Sequence, residues 1–256
     1  MNKFRKYILI ILTLILSILL WEGIIRLFNI SAFLLPGPFE VFNNYISMTF
    51  NGRLLFHTWI TIIETLTGFA MGALIGIIFG YIVAKSKILN SILSPFIIAA
   101  QTTPKLALAP LFLIWFGFGL LSKVFITALI VFFPIFINMA VAIKSINPNL
   151  KAIMKLVHAT KWQFFKKLEF LSSLPMLFAG FKSGITLAIV GAVVGEFVGA
   201  SAGLGYLIIF ATGHLDTATV FTAIIQLIII GIIFYEIVAT VGSRLMKWHE
   251  SEKDNW

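Results

Sequence analysis

The stretch NPNLKAIMKLVHATKWQFFKKLEFLSSLP, Asn147 to Pro175, decides how the chain is read. Ile153, Leu156 and Val157, then Phe164, Phe165 and Leu168, recur at steps of three and four residues. That is the period of a helix with one apolar face. Lysines at 151, 155, 161, 166 and 167 fill the positions between them. The spacing predicts two short amphipathic helices with a break at His158-Ala159-Thr160. Long apolar runs flank the stretch on both sides, so it is a loop between membrane spans. It is too short to be a catalytic domain and too regular to be a linker. Two uses fit it. It can lie in the headgroup layer, with Trp162, Phe164 and Phe165 as interfacial anchors, or it can dock a cytosolic partner.

The rest of the 256-residue chain agrees with a membrane setting. Apolar residues make up 60% and charged residues 11%, with a mean hydropathy of +1.04. A soluble domain is nearer half apolar and a quarter charged. A soluble enzyme, a disordered chain and a nucleic-acid-binding domain are thereby set aside. The net charge of +9 reads as membrane topology, because the basic residues sit beside the apolar runs. With no cysteine there is no disulfide, thiolate metal site or thiol nucleophile.

Crossing a bilayer takes about 20 apolar residues. Spans are expected at Tyr7–Leu27, Trp59–Ala84, Ile92–Phe116, Ser122–Ile143, Leu174–Val198 and Ala218–Val241. The first is too long for the apolar core of a signal peptide and lacks a small-residue cleavage site, so it reads as a retained anchor. The segment between the first two spans holds Leu34-Leu35-Pro36-Gly37-Pro38, after which a short helix is expected. Six spans put both termini on one side. With the N-terminus inside, fourteen of the nineteen Lys and Arg fall on the cytoplasmic side, against Arg53 and Lys123 outside and Arg26 near the outer edge. This predicts cytoplasmic N- and C-termini.

Several motifs together carry a family resemblance. The central loop resembles the EAA loop of ABC-importer permeases. Thr103-Pro104-Lys105-Leu106-Ala107-Leu108-Ala109-Pro110-Leu111, with Trp115-Phe116-Gly117-Phe118-Gly119, resembles the P-x-x-A-x-A-P-L-x-x-x-W-F-G-x-G stretch of the nitrate, sulfonate and taurine subgroup, which includes permeases for thiamine pyrimidine precursors. Gly191-Ala192-Val193-Val194-Gly195-Glu196-Phe197 and Ser201-Ala202-Gly203-Leu204-Gly205-Tyr206 resemble its segment after the fifth span. Trp21-Glu22 and Leu34 to Pro38 also fit, and the likeness covers about residues 20 to 245. The sequence departs from the pattern inside the loop. The EAA triplet falls on Ala152-Ile153-Met154 and the loop glycine on His158. The first Leu-Pro falls on Phe170-Leu171, while the second is kept as Leu174-Pro175.

The resemblance implies an all-α membrane protein of about six transmembrane helices. Its fold would be the type I ABC-importer permease fold, with a short cytoplasmic coupling-helix loop at about 145–173. Residues 1–56 would hold the anchor helix and an extracytoplasmic segment, 57–243 the permease domain, and 244–256 a cytoplasmic tail. The implied coupling residues are Ala152, His158, Ala159, Thr160, Lys161, Trp162, Phe165, Leu174 and Pro175, with Trp162 and Phe165 as aromatic anchors. The implied partners are a cytosolic ABC ATPase dimer, an extracytoplasmic solute-binding protein, a second copy of the permease and the lipid bilayer, with no nucleic acid. The chain itself is expected to bind no cofactor, since it has no P-loop; ATP and Mg would enter through the ATPase. The place implied is the bacterial inner membrane. The substrates implied are small polar solutes, with a lean toward pyrimidine precursors of thiamine from Gln101 to Lys105.

Charged residues inside spans are costly and attract functional readings. Lys105, Glu196 and Glu64 are the candidate pathway residues. Glu196 stands either as a gate residue or as a cap for the following turn. Glu64 and Glu236 are expected in buried structural ion pairs or hydrogen-bonded helix contacts, with Lys105 and Lys182 as possible counter-charges. Lys105 stands between Pro104 and Pro110, where a helix is expected to break, and either offsets an anionic substrate or snorkels to a water-filled vestibule. Gly68, Gly72, Gly76 and Gly80 recur every four residues, as do Gly191, Gly195 and Gly199, and both ladders predict close helix packing. The second is also a candidate lining for a dimer seam, and the glycines from 199 to 213 are expected to leave the outer loop flexible. The four histidines show no metal-ligand spacing. Two other classes remain at this stage. An ion-coupled secondary transporter would use Glu64, Glu196 or Glu236, though no inverted repeat is evident. A membrane-embedded enzyme would need clustered His or Asp at the membrane face, which the sequence lacks.

Overall fold

The computed structural model describes residues 3–246 and, among them, is built from helices without a strand. The expected cytoplasmic tail, including Lys247, His249 and Lys253, lies outside the described residues from 247 onward. Five helices are long and apolar enough to cross a membrane, and six if one bent pair counts as a span. In chain order the helices are α1 (Lys3–Phe28), α2 (Pro38–Phe50), α3 (Arg53–Lys85), α4 (Lys87–Thr102), α5 (Ala109–Phe116), α6 (Leu120–Lys144), α7 (Pro148–Leu156), α8 (Lys161–Phe164), α9 (Phe170–Gly199), α10 (Leu204–Gly213) and α11 (Thr217–Leu245). The chain divides into two compact units, residues 1–60 with 202–227 and residues 61–201 with 228–256.

In the first unit, Gly37 caps α2 and Pro38 opens it, the expected use of a proline whose missing N–H costs nothing in a first turn. Side-chain hydrogen bonds tie α2 to α11. Asn44 Nδ2 donates to Thr219 Oγ1 and to Thr222 Oγ1, both at 3.1 Å, and Tyr45 donates to Gln226 Oε1 at 2.6 Å. The outer loop differs from expectation. Only Gly203 in it takes a left-handed backbone, at φ 115°, and the residues after it form α10 with Leu204, Leu207 and Ala211 buried. Leucines four residues and less apart, once given a partner surface, outweigh the freedom of the neighbouring glycines. The Gly203 N–H donates to His57 Nδ1 at 3.0 Å, and the His57 ring stacks on Tyr206.

The second unit is organised around α6, whose residues from Ser122 to Ile143 are mostly buried. The α3 glycine ladder lies directly on it. A Cβ on Gly72 would stand 2.6 Å from the Ala128 carbonyl oxygen, and one on Gly80 2.7 Å from that of Phe136. On the other side α9 brings Gly191 against Thr127 and Gly195 against Lys123. The second ladder therefore packs on α6 inside the chain and is not free to line a dimer seam. In lipid there is no hydrophobic drive between helices, so dispersion contacts at this distance carry the association. Replacing Gly72 with leucine is expected to force α3 off α6 and cost about 3 kcal/mol. Gly23→Ala in α1, where a Cβ meets nothing within 4 Å, is expected to be neutral or slightly stabilising. Melting of the detergent-purified variants, followed by size-exclusion chromatography, checks both.

The third expected span is not straight. α4 and the segment Lys105–Phe116 meet at 84°. Pro104 stands at the junction, Lys105–Leu108 form a single tight 3-10 turn, and Pro110 opens α5. Two prolines, and the carbonyls they leave free, break the helix at the place where they stand in the sequence.

Candidate coupling loop and buried ion-pair site

The loop between α6 and α9 has every backbone end capped. The Asn147 side chain accepts from the Asn149 N–H at 2.9 Å, with Pro148 in the first turn of α7. At the other end His158 takes φ 51°. Its N–H donates to the Lys155 carbonyl and that of Ala159 to the Met154 carbonyl, both at 3.0 Å. This double bond pattern is a Schellman stop, which favours glycine at the left-handed position. His158, which stands at the glycine position of the resembling loops, thus keeps the glycine's backbone. His158→Gly is expected to stabilise the loop by about 1 kcal/mol. Amide exchange from Leu156 to Thr160 should slow accordingly. Thr160 and Gln163 then form a reciprocal capping box that starts α8. The expected break at 158–160 is this stop followed at once by this start.

Beyond α8 the helix does not end. A wide π turn at Phe165–Glu169 leads straight into α9, giving one helix from Lys161 to Gly199. Glu169 is buried and anchors this turn to α3, accepting from Tyr81 at 2.7 Å and pairing with Lys85 at 2.5 Å. Phe164, Leu168 and Met154 pack toward a core that includes Ile143, Ile146 and Met139. Leu174 is buried, and Pro175 sits inside α9.

The apolar residues that do not pack inward form an outer rim. Leu156 is 77% exposed, Val157 66% and Trp162 66%. Ala152, Thr160 and Lys161 are also exposed, while Ala159 is half-buried. Of the two expected aromatic anchors only Trp162 faces out. Phe165 is half-buried, edge-on to Tyr81 and stacked beneath Trp162 at 5.6 Å. Its π-turn position directs it at α3. Leu156 and Val157, which the helical period assigned to the apolar face, take its place on the rim. A firmly capped loop thus holds a projecting indole and two aliphatic side chains in fixed places on its outer rim.

A second cluster lies among α3, α6 and α9. Lys123 Nζ meets Glu64 Oε1 at 2.6 Å, and the residues are 6% and 1% exposed. Thr61, one turn before Glu64, donates to Glu196 Oε1 at 2.7 Å, and Glu196 is 2% exposed. The Lys123 stem packs on Gly195, the residue beside Glu196. Glu64 Oε2, Thr65 Oγ1 and Thr127 Oγ1 are buried and have no hydrogen-bond partner among the described residues.

This geometry revises four expectations. Lys123, counted with the outer loop, is buried in the first turn of α6 and is the counter-charge of Glu64. Lys105 instead donates to the Gln101 carbonyl at 3.0 Å and lies over the Phe133 ring, and Lys182 forms no ion pair among the described residues. Glu64 and Glu196 stand at a helix junction and line no open surface of the chain. Glu236, expected in a buried pair, is exposed on α11. No group of three or more potential metal ligands occurs among the described residues.

Comparison with known proteins extends the picture. The family model described as "Binding-protein-dependent transport system inner membrane component" matches residues 72–250. The chain is 39% identical over 239 residues to the riboflavin transport system permease protein RibX of Chloroflexus aurantiacus, over 93% of this chain and 89% of that one. It is 30% identical over 238 residues to the formylaminopyrimidine transport permease protein ThiX of Halalkalibacterium halodurans, over 93% and 94%. In structure it is similar to the MetNI methionine ABC transporter in an inward-facing conformation. The TM-score is 0.66 at 18% identity, over 74% of this chain and 94% of that chain.

Proposed function

The chain belongs to the binding-protein-dependent transport system inner membrane components, and from that premise we propose how it is oriented, what it docks and what it carries. As a member it is a multi-pass inner membrane protein and the permease subunit of an ABC transporter, a transport component and not an enzyme. We propose that both termini face the cytoplasm, so that the capped loop projects there. Two copies of the chain form the translocation path. A cytosolic ATPase dimer holds ATP and Mg and receives the rim of Leu156, Val157 and Trp162, and a binding protein delivers the solute at the outer face.

The observation that carries this reading is the exposed rim on a loop whose every backbone end is capped. A headgroup anchor needs no such order, whereas a docking element does. For the solute, the relatives named for riboflavin and formylaminopyrimidine share a ring system, while another, 32% identical over 91% of this chain, is named for aliphatic sulfonates, so sulfonates remain the second reading. The first two compounds are flat and contain a pyrimidine ring. The proposed substrate class is therefore a planar pyrimidine-bearing vitamin or vitamin precursor, which widens the expected thiamine precursor to flavins.

The test is a mild-detergent pull-down of the tagged chain from its host, with mass spectrometry of what accompanies it. A P-loop ATPase and an extracytoplasmic binding protein are expected. The binding protein is then screened for melting shifts with flavins, pyrimidines and taurine, and a response to taurine alone overturns the substrate class. A chain recovered only with itself overturns the ATPase coupling. Orientation is checked separately. Cys placed at Asn51 should react with an impermeant reagent in intact cells, and Cys at Lys155 only after the cells are opened.

A further inference from the structure

At the end of α3, the start of α4 and the end of α6 lies a cavity of about 470 Å³. Its lining includes Lys85, Lys87, Lys144 and Lys151 with one carboxylate, Glu169. Glu169 is committed to Lys85 and Tyr81. Lys144 is steered by the Asn90 side-chain oxygen at 2.5 Å, and Lys151 reaches only the Ile143 carbonyl at 3.5 Å. Three lysines therefore converge on the cavity with no acidic partner among its lining residues. The first turn of α4, capped by Ser86, opens on the same cavity and adds its positive end.

We propose that this cavity binds a phosphate-bearing anion, and that its source is the headgroup of an anionic phospholipid of the cytoplasmic leaflet. The argument rests on the orientation proposed above, which puts these helix ends at that leaflet. Lysine-lined pockets between spans at the cytoplasmic side are suited to such headgroups. The neighbouring α4 favours a lipid over a free ion. None of its residues is buried, and Ile88, Ile92 and Phe96, on the face of α4 away from the cavity-lining Lys87 and Asn90, are exposed to meet acyl chains. The position also matters. Lys151 belongs to α7 and Glu169 to the π turn, so a bound headgroup bridges the coupling loop to α3 and α4.

The experiment uses the permease with its ATPase, purified in mild detergent and placed in nanodiscs of phosphatidylcholine with or without phosphatidylglycerol. Native mass spectrometry counts the lipid that survives delipidation, and melting reports its effect. The wild type should retain phosphatidylglycerol and melt higher with it. The triple variant Lys87→Gln, Lys144→Gln, Lys151→Gln should bind it about 100-fold more weakly, three cationic contacts being lost. The variant Lys155→Gln, Lys166→Gln, Lys167→Gln removes equal charge outside the cavity and should keep the lipid. If the triple variant is poorly folded, Lys144→Gln alone should still weaken retention. Equal retention by wild type and triple variant overturns the proposal. So does equal protection by inorganic phosphate in phosphatidylcholine discs, which would assign a free anion. Loss of the ATPase from the triple variant with lipid retention unchanged also overturns it, assigning the lysines to acidic groups of that partner. Retention in a nanodisc does not depend on which way the chain faces in the cell, so this test and the labelling of Asn51 and Lys155 fail independently.

Discussion

Lys123→Met is expected to cost about 3–5 kcal/mol and to leave little folded permease in the membrane. The lysine is buried against Glu64 at 2.6 Å, with α3 and α9 packed on either side of α6. Removing one partner of a buried pair leaves the other charge without compensation in a medium that solvates it poorly. Glu64→Gln should be damaging for the converse reason, because the Lys123 ammonium would keep its charge and an amide acceptor but lose the carboxylate charge that offsets it. The double variant Glu64→Gln, Lys123→Met should recover most of the loss, since it removes both charges and keeps the volumes. Detergent melting of the four proteins closes a double-mutant cycle. A double variant no better than Lys123→Met would show that the lysine serves Glu196 or packing more than it serves Glu64.

Leu156→Ala with Trp162→Ala is expected to detach the ATPase while leaving the permease inserted and folded. Both side chains are mostly exposed in the chain, so their removal takes little from its own stability. Anchors of this kind each contribute about 2 kcal/mol or more at an interface. Losing two weakens binding by about 1000-fold, enough to abolish co-purification and transport-coupled ATP hydrolysis. Phe165→Ala should behave differently. It lies under Trp162 and against Tyr81, so it should lower the melting temperature of the permease and weaken docking only through the indole it supports. Co-purification that survives the Leu156/Trp162 change would return Trp162 to the headgroup layer.

Much of this was legible in the sequence because the signals are local. Hydropathy alone located the spans, and the three- and four-residue steps around His158 located the two loop helices and the break between them. The four-residue glycine steps announced close packing. What escaped was whatever depends on which faces meet. Nothing near Lys123 in sequence says that it turns inward to Glu64, fifty-nine residues earlier. A lysine beside a loop ordinarily stays in water. Phe165 was misplaced for a related reason. A π turn shifts the helical period by a fraction of a turn, and an aromatic expected on the outer face comes to point at α3. α10 was hidden by its glycines, whose cost is small once Leu204 and Leu207 are buried.

The unbroken helix from Lys161 to Gly199 has a mechanical consequence. Its 39 residues extend about 58 Å, roughly twice the hydrocarbon thickness. Trp162 near one end and the Glu196 clasp near the other stand on this one helix, with Pro175 between them, while Leu156 and Val157 lie on α7 before the stop at His158. The bearing of Trp162 about the helix axis is therefore tied to that of the span. A helix advances about 100° per residue, and the π turn at Phe165–Glu169 carries extra chain, so it works as the indexing tooth that sets this bearing. Deleting one residue there would keep the contacts of α9, disturb the anchor of Glu169 to Tyr81 and Lys85, and swing Trp162 about a quarter-turn out of alignment. Such a transporter would still assemble its membrane half, yet present its partner with the wrong face.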